Sequence, residues 1–258
     1  MTLQDSAAAD PQAAASKLSS LALVVIDMQR DFCSPGGYAD QAGLDVARLA
    51  EPIARIAELL AAARCFGMLV VHTREGHLPD LSDCPPHKLL RSRNAGAAIG
   101  SAGPLGRLLV RGEYGHDFVD ALHPQPGEWV IDKPGYGAFY ATDLQQRLQM
   151  RGITQLVLCG VTTEVCVHSS LREAVDRGYA CTVVSDATAA SDPALQAPAL
   201  AMVAVEGGIL GAVMDSASVL RQWAQAGAAS CLQSQQRPTS HDQVSYQALY
   251  NPPLEPFA

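Results

Sequence analysis

Short apolar runs too brief to be buried helices recur along this chain, each followed by a helical pattern or a break. Leu21–Ile26 is six apolar residues ending at Asp27. Met68–His72, Trp129–Ile131, Gln155–Cys159, Cys181–Val184 and Ile209–Met214 repeat the theme. Runs of this length without polar alternation are read as strands covered on both faces. Between them lie segments with apolar residues at helical spacing: 45–66, 142–151, 163–177, 193–205 and 216–225. Alternation of this kind predicts an α/β fold, a three-layer α/β/α sandwich around a central, mainly parallel sheet of about six strands. Its crevice for a ligand is expected outside the C-terminal strand ends.

Three polar residues fall at those ends. Asp27 follows the first run, Lys133 the third, and Cys166 lies just beyond the fourth, in Gly160-Val161-Thr162-Thr163-Glu164-Val165-Cys166. Each has a plain structural explanation: a turn cap, a solvated lysine, a buried small hydrophobe. Their convergence on one sheet edge supports chemistry instead. A cysteine in the first turn of a helix is expected to have a lowered thiol pKa. Asp27 is placed to accept the thiol proton and return it to a leaving amine. Lys133 favours both anions. Amides of the 160–166 turn are placed to hold an oxyanion.

Composition bounds the rest. A net charge of −8 argues against a nucleic-acid partner, whose binders usually show a basic face, and no apolar run is long enough to span a membrane. The first twenty residues do not read as a secretory signal. Seven scattered cysteines without a CxxC pair point to a reducing, cytoplasmic setting. The expected organisation is a polar tail over 1–18, one domain over 19–228, and a tail or oligomerisation arm over 229–258. Residues 74–128, with six prolines and eight glycines, read as a long functional insertion.

The motifs Leu23-Val24-Val25-Ile26-Asp27-Met28-Gln29, Lys133-Pro134-Gly135-Tyr136-Gly137 and Gly160 through Val167 resemble the isochorismatase-like cysteine hydrolase superfamily, in order and over residues 19–225. The resemblance implies a Rossmann-type fold and a catalytic triad of Asp27, Lys133 and Cys166. It also implies a cis peptide at Val161–Thr162 and an oxyanion hole from the Thr162 and Cys166 amides. The cysteine implies C–N cleavage through a thioester. No Asp-x-His metal motif follows the second run, and His72, His77, Asp83 and Cys84 fit no zinc spacing, so neither metal nor cofactor is expected. The 72–85 segment resembles the biuret and triuret hydrolase branch, which implies a linear ureide as substrate; the superfamily resemblance implies a homo-oligomer, tetramer or dimer. Phe32, Tyr38, Phe139 and Tyr140 are candidate pocket walls. Glu206, in an apolar strip, is a candidate acceptor for terminal NH2 groups, and Arg74, Glu75 and the rest of the insertion are candidates for a pocket lid or an oligomer contact. Two alternatives stand beside this: hydrolysis of another small amide (an N-carbamoyl amino acid, ureidoacrylate or nicotinamide), or a non-enzymatic thiol-redox or binding scaffold.

Overall fold

The structure, a computed structural model, describes residues 18–236, with side chains through residue 227. Both terminal tails expected from sequence lie largely outside the described residues.

Six strands form one sheet: β1 Leu21–Ile26, β2 Leu69–Glu75, β3 Trp129–Lys133, β4 Gln155–Val161, β5 Ala180–Ala189 and β6 Ala212–Met214. All neighbours pair in parallel, in the order β3-β2-β1-β4-β5-β6. The strand order reverses between β1 and β4, the switch point where such sheets open a crevice. Alternation along β1 sends Leu23 and Val25 into one core cluster and Ala22, Val24 and Ile26 into the other. Each face is covered by helices: α1 Ile53–Cys65 and α6 Ser216–Gln236 on the first, α3 Leu144–Met150 and α4 His168–Asp176 on the second. Helix α2 is Pro86–Asn94, and α5 is Pro193–Val203.

The elements differ from the sequence expectation at definite places. The helix expected over 45–66 is broken at Pro52, leaving a short separate helix at Val46–Ala50 before α1. Strand β5 runs on past Val184 to Ala189, through the polar pair Ser185-Asp186, because a register shift between Leu158 and Gly160 lets it keep pairing with β4. The last strand begins at Ala212 rather than Ile209, because Gly207, Gly208 and Gly211 take positive φ. The insertion is not wholly irregular: it contains α2 and a two-stranded hairpin, Ala102–Gly103 with Gly106–Arg107. No described helix is long and apolar enough to cross a membrane.

Candidate active site

Two backbone devices bring the β1 and β4 ends together. Gly160 is the register partner of Ile26, with φ +113°, and a Cβ there would lie 2.0 Å from the Ile26 carbonyl oxygen. Only glycine lets the strands approach this closely. The next peptide but one, Val161–Thr162, is cis. Asp27, one residue beyond β1, takes the left-handed conformation at φ 52°, a region that aspartate tolerates better than most residues. Its amide donates to the Thr73 carbonyl and hydroxyl oxygens, each at 3.2 Å.

Asp27 and Lys133 are fully buried, and Cys166 is nearly so. Lys133 Nζ lies 2.7 Å from Asp27 Oδ2, and also donates to the carbonyls of Gly135 (3.0 Å) and Tyr136 (2.9 Å). The Thr73 hydroxyl donates to Asp27 Oδ1 at 2.6 Å. The three residues expected from the strand ends therefore meet in one buried cluster.

Two further residues join them. Glu75, at the end of β2, accepts a hydrogen bond from the Cys166 thiol at 3.3 Å through Oε2. Its other oxygen, Oε1, lies 2.7 Å from Lys88 Nζ, and Lys88 also donates to the Pro134 carbonyl at 2.6 Å. Lys133 Nζ is 3.8 Å from Glu75 Oε2. The sequence reading assigned Glu75 to a lid or an oligomer contact rather than to the thiol, and missed Lys88. A signal was present: Thr73 and Glu75 are two apart on one strand and so face the same side.

The charges sort the groups. Burial pushes the Asp27 carboxyl up against the pull of Lys133. Burial also opposes ionisation of Glu75, but the Lys133 and Lys88 ammoniums outweigh it and hold that carboxyl below its ordinary value. Burial works against the Lys133 ammonium too, yet Asp27, Cys166 and Glu75 keep it firmly protonated. The Cys166 thiol is pushed well up by burial, against Lys133 and with the two carboxylates. This corrects the sequence expectation of a helix-lowered thiol. Thr163–Val167 is a single π-helical turn rather than the start of an α-helix, and desolvation governs Cys166. A protonated thiol needs a base.

A cavity of about 270 Å³ opens over Cys166, with Thr162, Glu75, Phe32, Tyr38 and Tyr136 in its walls. Lys88, Arg91 and Ser92 line its roof from one face of α2, with Ala95 just past the helix end. The other sequence candidates lie elsewhere. Phe139 is buried and stacks on Tyr179 at a centroid distance of 5.9 Å. Tyr140 is 58% exposed. Arg74 pairs with Asp132 at 2.7 Å and with Asp117 at 3.2 Å, away from this cavity. Glu206 is exposed in a turn at φ 51°, between the exposed Val205 and Ile209. It is not among the residues lining the cavity. His72 faces Glu128 at 2.9 Å, and His77 faces Asp83 at 3.2 Å.

Comparison with known proteins agrees with this geometry. The family model of the isochorismatase domain matches residues 21–218. A ureidoacrylate amidohydrolase, RutB, of Methylorubrum extorquens is 40% identical over 196 residues, covering 74% of this chain and 79% of the relative. The crystal structure of a cysteine hydrolase from Pseudomonas syringae pv. phaseolicola superposes with a TM-score of 0.68 at 29% identity, over 81% of this chain and 94% of the other. That of N-carbamoylsarcosine amidase from Thermoplasma acidophilum gives 0.59 at 26% identity, over 76% and 96%.

Proposed function

The chain belongs to the isochorismatase family, and from that premise we propose that it is a cysteine-dependent amidohydrolase of small linear ureides such as biuret or triuret. The enzyme acts on C–N bonds other than peptide bonds, the chemistry named for its amidohydrolase and amidase relatives. The observation that carries the reading is Cys166 lining a small cavity, with Glu75 and Lys88 in the same lining and Asp27 and Lys133 buried beside them.

The thiol sulfur attacks the carbonyl of a terminal carbamoyl group. Thr162 and Cys166 line the cavity, and their amides are assigned to the developing oxyanion. Asp27 protonates the departing nitrogen, and Lys133 balances the charge as the proton leaves. Water then cleaves the thioester. Phe32, Tyr38 and Tyr136 give a planar ureide flat walls.

A second reading has an observation of its own. Arg91 stands at the cavity roof, 5.8 Å from the Tyr136 ring, with no carboxylate partner among the described residues. A guanidinium so placed suits the carboxylate of a ureido acid, the substrate type named for the ureidoacrylate relatives. Ammonia release from biuret, triuret, ureidoacrylate, N-carbamoylsarcosine and nicotinamide tests both readings at once. Turnover of biuret or triuret above the ureido acids supports the first. The reverse order, lost in Arg91→Met, supports the second. No ammonia from any of them refutes the amidohydrolase reading.

The proposal includes a cytoplasmic homo-oligomer, dimer or tetramer. Free cysteines at 33, 65, 84, 159, 166 and 181 suit a reducing compartment. The exposed Leu195, Met202, Val205 and Ile209 suit a subunit contact.

A further inference from the structure

The site holds two buried carboxylates, and the chain treats them differently. We infer that Glu75 is the general base that takes the thiol proton from Cys166, while Asp27 is the general acid that protonates the departing nitrogen. The assignment rests on the proposed role of Cys166 as nucleophile.

The hydrogen-bond geometry is direct. The Cys166 thiol donates to Glu75 Oε2 at 3.3 Å, while Lys88 engages Oε1. Glu75 is held in place through its backbone: Gln29 accepts from the Glu75 amide at 2.7 Å and donates to its carbonyl at 3.0 Å. Glu75 shares the cavity wall with Cys166, whereas Asp27 is sealed beneath it by Thr73 and Lys133. An oxygen of each carboxylate and the sulfur lie within 4.8 Å of one another, so both carboxyls adjoin the attacking atom. Lys133 Nζ, 2.7 Å from Asp27 Oδ2, is the ammonium that balances the Asp27 carboxylate once its proton has left.

Protonation tendencies agree with this division. Burial raises Asp27 towards its neutral form, while the two ammoniums keep Glu75 ionised. Environments that drive two carboxyls apart are how one site holds an acid and a base together.

The cycle balances. The thiol proton passes to Glu75 as the C–S bond forms. The Asp27 proton passes to nitrogen as the C–N bond breaks, and the amine or ammonia leaves. Water then gives a proton to Asp27 as its oxygen bonds to carbon. Glu75 returns its proton to sulfur as the C–S bond breaks. Enzyme and carboxyls end as they began.

A substrate whose leaving group needs no proton separates acid from base. p-Nitrophenyl carbamate acylates cysteine with release of p-nitrophenolate, read as an absorbance burst, with Cys166→Ser as the background. The expected result is that Asp27→Asn keeps the burst rate within about tenfold while its turnover of a ureide falls by about 10²–10⁴. Glu75→Gln loses burst and turnover by that same factor. A burst retained in Glu75→Gln, or lost in Asp27→Asn, overturns the assignment and returns both transfers to Asp27. If Glu75→Gln does not fold around an unpaired Lys88, Glu75→Gln/Lys88→Met takes its place, and its burst alone decides. A wild-type burst that persists undiminished in Cys166→Ser is a different failure, that of the nucleophile itself. A normal wild-type burst without ammonia from any ureide refutes only the substrate reading.

Discussion

Gly160→Ala strikes the point on which the whole site turns. At this position φ is +113°, and an added Cβ would lie 2.0 Å from the Ile26 oxygen, 2.7 Å from its nitrogen and 2.8 Å from its carbonyl carbon. All three atoms are backbone of β1, the central partner of β4, so no side chain can rotate away to make room. A non-glycine residue in this φ region costs about 1–3 kcal/mol. Forcing a methyl into packed backbone adds about 1–3 kcal/mol more. The expected loss is thus about 2–6 kcal/mol, a large share of the roughly 5–15 kcal/mol that holds a domain of this kind together. Urea unfolding followed by tryptophan fluorescence measures it, since Trp223 is buried at 3% exposure. Ile26 immediately precedes Asp27, so the strands also part at the acid, and turnover of the folded fraction falls. A shift under about 0.5 kcal/mol, the size of an ordinary surface change, with turnover unchanged, would refute the claim that this seam sets the site.

Two other perturbations have equally definite signs. Lys133→Met leaves Asp27 and Glu75 facing one another in a site where their side chains are 0% and 4% exposed; breaking a buried pair costs about 3–5 kcal/mol. Thermal unfolding of Lys133→Met measures that loss, and a variant as stable as wild type would contradict the charge balance described. At the other end of the sheet, burial opposes ionisation of Glu128, but Arg64, the Gln125 amide and His72 hold its pKa at about 2 against an ordinary 4.5. A carboxyl lowered in the folded state contributes stability above its unfolded pKa and loses it as pH falls through the folded one. Stability should therefore decline between pH 4.5 and 2. Glu128→Gln should flatten that decline in acid titrations of the unfolding midpoint; an unchanged slope would place the acid sensitivity elsewhere.

What could be read in advance follows from which forces act locally. Leu21–Ile26 has no polar residue and must be covered on both sides, so the strand, its parallel pairing and the functional edge at Asp27 were all legible. Lys133 stood out for the same reason, and Cys166 through its place in the Gly-Val-Thr-Thr turn that follows a buried run. Glu75 did not, because its burial depends on Lys133, its register partner 58 residues away, and on Lys88 from a helix in the insertion. A charge buried by long-range pairing looks like a loop charge when only its neighbours are read. Glu206 failed in the opposite way. Its apolar neighbours suggested a pocket, but Val205 and Ile209 are themselves 43% and 58% exposed, and positive φ at 206–208 turns the chain outward. The thiol was misjudged because a helix-terminus argument treats the cysteine as solvated, and here desolvation dominates.

The most direct measurement of the central claim is mass spectrometry of the enzyme quenched in acid during turnover of a ureide substrate. A carbamoyl-type adduct on the peptide containing Cys166, absent from Cys166→Ser and lost when the substrate is exhausted, is the predicted result. Full turnover by Cys166→Ser, with no adduct in wild type under any quench, would contradict nucleophilic catalysis by this cysteine.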